Sequence, residues 1–286
     1  MSAVVVFIIF AICLVIAIPI SISLGIVAVL PGAFDASFTA SAGYVIRSMV
    51  GGIDSFPLLA VPMFVLAGIL MAHGKISEKL FDVFVYFLGN KRAGIPCAVI
   101  ITCLFYGAIS GSAPATVAAV GSMTIPLLIE LGYEKDFSTA IVAVAGGLGV
   151  IIPPSIPFIM YAMATGESVS DLFLAGIVPG MMISALLIFY AYYYCRRHGE
   201  DREKIQAKMD QLKTKGFVNI LKESIWALLS PVIVLGCIYT GVASPTEAAV
   251  ISVFYSLFVS LFIYRSIKVK QIWGCLLYTS PSPRDS

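Results

Sequence analysis

From 93 to 129 the chain carries no Asp, Glu, Lys, Arg or His, yet the middle of that run reads Ser110, Gly111, Ser112, Ala113, Pro114, Ala115, Thr116. An apolar stretch of this kind belongs in hydrocarbon. No water is present there to satisfy the backbone groups that Gly and Pro release, so a helix break is tolerated only where it lines a cavity or binds something. A second uncharged run, 137–166, is interrupted in the same way by Pro153, Pro154, Ser155, Ile156 and Pro157. Two broken apolar segments in one chain are the pattern of a secondary transporter, in which half-helix ends converge on the transported species.

Composition supports a membrane setting. The 286 residues are 59% hydrophobic and 12% charged, with a mean hydropathy of +0.99, whereas soluble domains are roughly a quarter charged. The net charge of +2 does not point to nucleic acid, because the basic residues gather in a few loops instead of forming a stripe with aromatic partners. Cys13, Cys97, Cys103, Cys195, Cys237 and Cys275 show no ligand-like spacing, which argues against a disulfide framework or a metal centre. The segment 1–30 lacks a basic leader and exceeds the usual apolar core of a signal peptide, so it reads as a first span.

A spanning helix needs about 20 mostly apolar residues, and 3–30, 55–72, 172–195, 225–241 and 247–264 qualify. The stretch 76–88 groups Ser77, Glu78, Lys79 and Asp82 against Leu80, Phe81, Phe84, Phe87 and Leu88, the pattern of an interfacial amphipathic helix. Eight basic residues between Arg196 and Lys222 place that linker in the cytoplasm by the positive-inside rule. Counting outward from it, the arms 94–109 and 115–129 are short for two full spans. They fit a re-entrant hairpin with Ser110 to Thr116 at its tip, leaving Lys91 and Arg92 on the cytoplasmic side with the other basic residues.

A tip of this kind ends one half-helix and starts another, so carbonyls suited to Na+ and amides suited to a carboxylate meet there. Ser110, Ser112 and Thr116 add hydroxyl oxygens, Gly111 permits close backbone approach, and Pro114 stops the first helix from continuing. The competing reading is a kink packed by small residues. In the second break, Gly146, Gly147 and Gly149 precede prolines that remove amide donors and free carbonyls one turn back. Those carbonyls are candidate cation ligands, with a plain kink as the alternative. Ser244, Pro245, Thr246 and Glu247 read as a helix cap ahead of a functional acid.

An enzyme is disfavoured. Ser112 invites comparison with an intramembrane serine hydrolase, but His73 and His198 lie at span edges and supply no base beside it. No phosphate-binding loop of the GxxxxGK[ST] type is encoded.

Four ordered motifs carry a resemblance: SGSAPATVAAVGSMTIPLL at 110–128, AGGLGVIIPPSIPFIMYA at 145–162, DLFLAGIVPG at 171–180 and GVASPTEAAV at 241–250. Together they resemble the large membrane subunit of tripartite ATP-independent periplasmic (TRAP) transporters, over about residues 1–273. The resemblance implies a multi-pass bacterial inner-membrane protein of all-α, elevator type. It implies two inverted repeats, each with a re-entrant hairpin and a broken helix, of which this chain holds the first and the start of the second. It also implies Na+ as coupling ion with no other cofactor, a small membrane subunit and a periplasmic binding protein as partners, and an organic acid of C4-dicarboxylate or sialic-acid type as substrate. The first cation and substrate site then maps onto Ser110, Gly111, Ser112, Pro114, Thr116, Gly149, Pro153, Pro154 and Ser155, with Na+ at Ser110, Ser112, Thr116 and nearby carbonyls.

The expected segments are 1–92 (spans and amphipathic helix), 93–195 (hairpin and broken-helix region), 196–224 (basic linker), 225–273 (start of the second repeat) and 274–286. The last reads as a non-native tail on a chain truncated at its C-terminus. The alternatives are a dicarboxylate/Na+ symporter that needs no binding protein and, outside transport, an intramembrane hydrolase or a scaffold subunit.

Overall fold

The computed structural model describes residues 3–34, 42–214 and 216–267, which form two compact units, Met1–Ser55 and Phe56–Ser286. The secondary structure of the described residues is helical, without strands. Among the described residues, five helices are long and apolar enough to cross a membrane: Phe56–His73, Ala113–Glu130, Val169–His198, Asn219–Tyr239 and Pro245–Ile263, the second of which contains the arm 115–129 that was expected to be short for a full span. The expected tail 274–286 lies outside the described residues.

The first unit corrects the single span expected over 3–30. Helix α1 (Ala3–Val15) stops and α2 (Ile20–Phe34) begins anew. Pro19 has no N–H and pushes Ile18 out of helical geometry, and Ala17 turns left-handed at φ 63°. The ending is a Schellman motif, with Ile18 N–H donating to Cys13 O and Ala17 N–H to Leu14 O, both at 3.0 Å. At 13 and 15 residues, neither helix alone reaches across hydrocarbon about 30 Å thick. A third helix, α3 (Ala42–Ile53), was not expected from the sequence. It packs beside α2 through Met49, which shares a cleft with Ile22 and Ile26.

The second unit is built around two helices in tandem, α6 (Gly94–Ser110) and α7 (Ala113–Glu130), joined by Gly111 and Ser112 alone. They run antiparallel: Ile95 at the start of α6 and Leu127 near the end of α7 line one cleft. Around this hairpin lie α4 (Ala60–His73), α5 (Ile76–Leu88), α8 (Lys135–Gly146), α9 (Ile156–Thr165) and α10 (Val169–His198). Then come α11 (Arg202–Thr214), α12 (Phe217–Tyr239) and α13 (Pro245–Phe258), which runs on into a π-helical turn, Val259–Ile263. The basic linker 196–224 is therefore largely helical, and the span expected at 225 begins earlier, within α12.

Small residues set the spacing. Helices α4 and α13 meet through Ala60, Ala67, Ala248 and Ala249, all fully buried, the kind of close contact by which helices associate without a hydrophobic driving force. Helix α5 is amphipathic with the expected bounds, and part of its apolar side packs inward while Phe87 stays exposed. Ile76, Leu80 and Val85 are buried in the same core as Ile95, Val99 and Ile100 of α6. Lys79 pairs with Glu223 of α12, and Ser224 Oγ donates to Lys79 O at 2.8 Å. Helix α10 turns Val178, Leu186 and Phe189 outward. At α13, the expected cap is present as a capping box: Ser244 Oγ accepts from Glu247 N–H, and the Glu247 carboxylate accepts from Ser244 N–H at 2.8 Å.

The hairpin is fastened to α4 by a buried phenol, since Tyr106 O–H donates to Gly68 O at 2.8 Å. Tyr106→Phe removes that bond without changing the shape of the core, and is expected to cost about 0.6–1.5 kcal/mol, the usual worth of a buried hydrogen bond between helices. Unfolding of the detergent-solubilised chain by denaturant measures it. An unchanged midpoint would show that Tyr106 fastens nothing.

Candidate functional site

Both breaks are built from the same local device. Ser112 is extended (φ −139°, ψ 124°) and caps α7, its side chain accepting from Ala115 N–H. Ser155 is extended (φ −127°, ψ 121°) and caps α9, accepting from Phe158 N–H. In each case a proline stands two residues past the cap, Pro114 or Pro157, where a missing N–H costs nothing. Upstream, α8 tightens into a 3-10 turn, Gly147–Val150, before the chain turns through Pro153 and Pro154, which are joined by a cis peptide bond.

The two breaks meet. Ile156 N–H donates to Gly111 O at 3.3 Å. A β-carbon on Gly111 would lie 2.9 Å from Pro154 O, and Gly111 itself sits at φ +63°, which favours glycine on both counts. Gly149 packs against the far side of the tip: a β-carbon there would stand 2.5 Å from Thr116 Oγ1 and 3.0 Å from Ser112 O. Gly107, one turn before the tip, touches the Gly149 backbone just as closely. Two helix N-termini, those of α7 and α9, thus start at one point, where their dipoles favour an anion.

Beside them lies a cluster of oxygens. Ser110 Oγ and Thr116 Oγ1 are 3.1 Å apart, and Thr116 O–H donates to Ser112 O at 2.8 Å. Ser110 and Thr116 are completely buried. The donor set consists of hydroxyl and carbonyl oxygens without a formal charge, which suits a hard monovalent cation better than a transition metal. Among the described residues no group of three or more His, Cys, Asp or Glu could hold a metal.

Of the residues singled out in the sequence, the structure brings Ser110, Gly111, Ser112, Thr116, Gly149 and Pro154 into direct neighbourhood. Ser155 stands one residue from the bond to Gly111, and its hydroxyl is committed, donating to Val150 O at 2.6 Å. That bond consumes one of the carbonyls freed by the prolines, so Val150 O is satisfied within the protein. Pro153 is buried in the turn, and Pro114 is exposed on the outer side of α7. His73 ends α4 and bonds Ile69 O at 3.0 Å, and His198 ends α10 stacked on Tyr194, so neither serves Ser112 as a base. A cavity of about 340 Å³ follows α7 from Ala115 to Met123 and reaches His73, Ser77 and Glu78, but shares no residue with the oxygen cluster.

Sequence reasoning missed Tyr106 and Gly107. The signal for both was helical spacing: they precede Ser110 and Gly111 by one turn and so share the face of α6 that meets Gly68 and Gly149.

Comparison with known proteins places this geometry in a family. A family model described as tripartite ATP-independent periplasmic transporter, DctM component, matches residues 7–282 and so extends into the segment 274–286. The chain is 42% identical over 94% of its length to the isethionate TRAP transporter permease protein DctMQ of Oleidesulfovibrio alaskensis, covering 41% of that protein. It is 34% identical over 97% of its length to the C4-dicarboxylate TRAP transporter large permease protein DctM of Rhodobacter capsulatus, covering 64% of it. It is 37% identical over 81% of its length to the 2,3-diketo-L-gulonate TRAP transporter large permease protein YiaN of Escherichia coli, covering 53% of it. The chain thus spans between two fifths and two thirds of the length of these relatives, whose names are those of permeases and not of enzymes. With the paired helix breaks, the five apolar helices and a family match over nearly its whole length, this multi-pass membrane chain belongs to the DctM family of TRAP transporter large permease subunits.

Proposed function

We propose that this chain supplies one half of the transport site of a sodium-coupled importer in the bacterial inner membrane. Its hairpin tip and adjoining break hold Na+ beside an organic acid delivered by a periplasmic binding protein, and a small membrane subunit completes the complex. The hairpin is re-entrant in this reading, and the unit that carries it moves across the membrane as an elevator built from two inverted repeats. The observation that carries the reading is the meeting of Ser110, Ser112 and Thr116 oxygens with the N-termini of α7 and α9 at one point. Cation-seeking and anion-seeking groups are adjacent there. Neither apolar run contains a formal charge, so a lone cation or a lone carboxylate would be buried unpaired, at the cost of several kcal/mol that such burial carries. Binding the two together offsets the charge of each, which favours coupled binding. Relatives named for isethionate, C4-dicarboxylate and 2,3-diketo-L-gulonate support an organic acid as the substrate class.

The test is uptake into proteoliposomes containing the full large subunit, its small partner and a loaded binding protein, with and without an inward Na+ gradient. Uptake that requires both gradient and binding protein supports the reading, whereas uptake without the binding protein would assign an autonomous symporter. Ser110→Ala and Thr116→Ala are each expected to raise the Na+ concentration for half-maximal uptake by roughly tenfold or more, as loss of one ligand to a charged group implies. An unchanged Na+ dependence in both would remove the cation from the tip.

Close packing supplies an independent check. Gly149→Ala places a methyl group 2.5 Å from Thr116 Oγ1, whereas a β-carbon on Gly147 meets nothing within 4 Å. Gly149→Ala is therefore expected to abolish uptake while the protein remains in the membrane, and Gly147→Ala to leave it near the parent level. Equal uptake by the two variants would show that the contact between the breaks does not matter for transport.

A further inference from the structure

The end of the hairpin opposite its tip carries a buried acid that the transport reading does not use. Glu200 stands in the corner between α10 and α11, with its side chain 3% exposed. Its Oε1 accepts from Ala93 N–H at 3.0 Å and from Tyr133 O–H at 2.7 Å. Ala93 is the last residue before α6, and Tyr133 follows the end of α7. One carboxylate oxygen therefore joins the two chain ends of the hairpin. The other, Oε2, lies 3.4 Å from Arg202 Nη2, and Arg202 Nη1 donates to Asn90 O at 3.2 Å in the α5–α6 corner.

The surroundings fix this geometry. Ala93 is fully buried and left-handed, at φ 57°, a conformation that its β-carbon opposes, so its N–H is aimed by the corner itself. Gly132, at φ +92°, sits so close to the neighbouring Asp201 that a β-carbon would fall 3.3 Å from Asp201 Cβ. The α7–α8 corner is therefore seated directly on the α10–α11 corner. Burial first, and donation to Glu200 second, push the Tyr133 phenol well above the usual tyrosine range, which keeps its proton available for the bond.

We infer that Glu200 is a positioning residue: by holding Ala93 and Tyr133 together it fixes the base of the hairpin, and through the two helices that rise from that base it fixes where Ser110 to Thr116 sit. Helix α6 is a lever of about 26 Å at 1.5 Å per residue, so a small rotation at its base moves the tip by a comparable or larger amount. The inference rests on the proposed reading for what the tip does, but the anchoring itself involves no ion.

Hydrogen exchange of the chain in lipid nanodiscs without Na+ tests it, by comparing the base (90–95 and 131–134) with the tip (108–118). Glu200→Ala is expected to speed exchange about tenfold at both places, the scale set by losing hydrogen bonds to a charged acceptor. Glu200→Gln keeps an oxygen for Ala93 and Tyr133 and is expected to restore slow exchange at the tip. Tyr133→Phe keeps the ring and removes only the donor, and is expected to speed the tip in the same direction as Glu200→Ala. Faster exchange confined to the base in Glu200→Ala, or a tip as fast in Glu200→Gln as in Glu200→Ala, overturns the inference. Should Glu200→Ala fail to fold, an unchanged tip in Tyr133→Phe overturns it equally. Since this readout uses neither Na+ nor substrate, it can fail while the sodium reading stands, and the reverse.

Discussion

A helix that ends at apolar depth leaves the C=O groups of its last turn or the N–H groups of its first turn without partners, and lipid offers none. In this chain the breaks within the two uncharged runs satisfy each other. Gly111 O receives Ile156 N–H, Ser112 and Ser155 turn their hydroxyls onto the first turns of α7 and α9, and Val150 O is taken by Ser155. Ser110, Ser112 and Thr116 gather further oxygens at the hairpin tip, and these bond to one another. The constraint thus ties the fold of the second unit to its candidate site, because the bond from Ile156 N–H to Gly111 O sets the second break directly against the hairpin tip that holds the oxygens.

Contact on that scale needs missing side chains. Gly107, Gly111 and Gly149 stand where any β-carbon would enter a neighbour's backbone or the Thr116 hydroxyl. Gly68 meets Ser110 in the same way, with only 2.9 Å available between a β-carbon and Ser110 Cβ. The tip is therefore hemmed by backbone on two sides, and its hydroxyls keep one arrangement without large side chains to wedge them. Packing of this density has discrete arrangements and does not deform continuously.

The features legible in the sequence were those set by local chemistry. The uncharged runs, the Gly and Pro breaks, the amphipathic α5 and the cap at Ser244 all follow from residues within one or two turns of one another. The start of α12 was misplaced because the charges of Lys222 and Glu223 disguise its first turns, and Glu223 is in fact answered by Lys79 from α5. The undivided first span failed for a different reason. Ala17 carries no visible turn signal, and its left-handed ending is recognisable only together with Pro19 two residues on. The partnership between the two breaks, and the seating of Glu200 beneath the hairpin, join residues far apart in the chain. Nothing in the composition of a single segment announces either.

The distribution of charge ties these observations together. Within the hairpin, from Gly94 to Ile129, no Asp, Glu, Lys, Arg or His occurs, whereas its base is crowded with Lys91, Arg92, Glu130, Glu134, Glu200 and Arg202. Hydroxyls and carbonyls at the tip make neutral hydrogen bonds to one another. A carboxylate at the base, buried and bonded to two donors, holds its partners firmly, since charge-assisted bonds are roughly twice as strong as neutral ones. The hairpin is thus graded along its length, from a charged, firmly bonded base to a neutral tip. That gradient follows from the cost of burying charge.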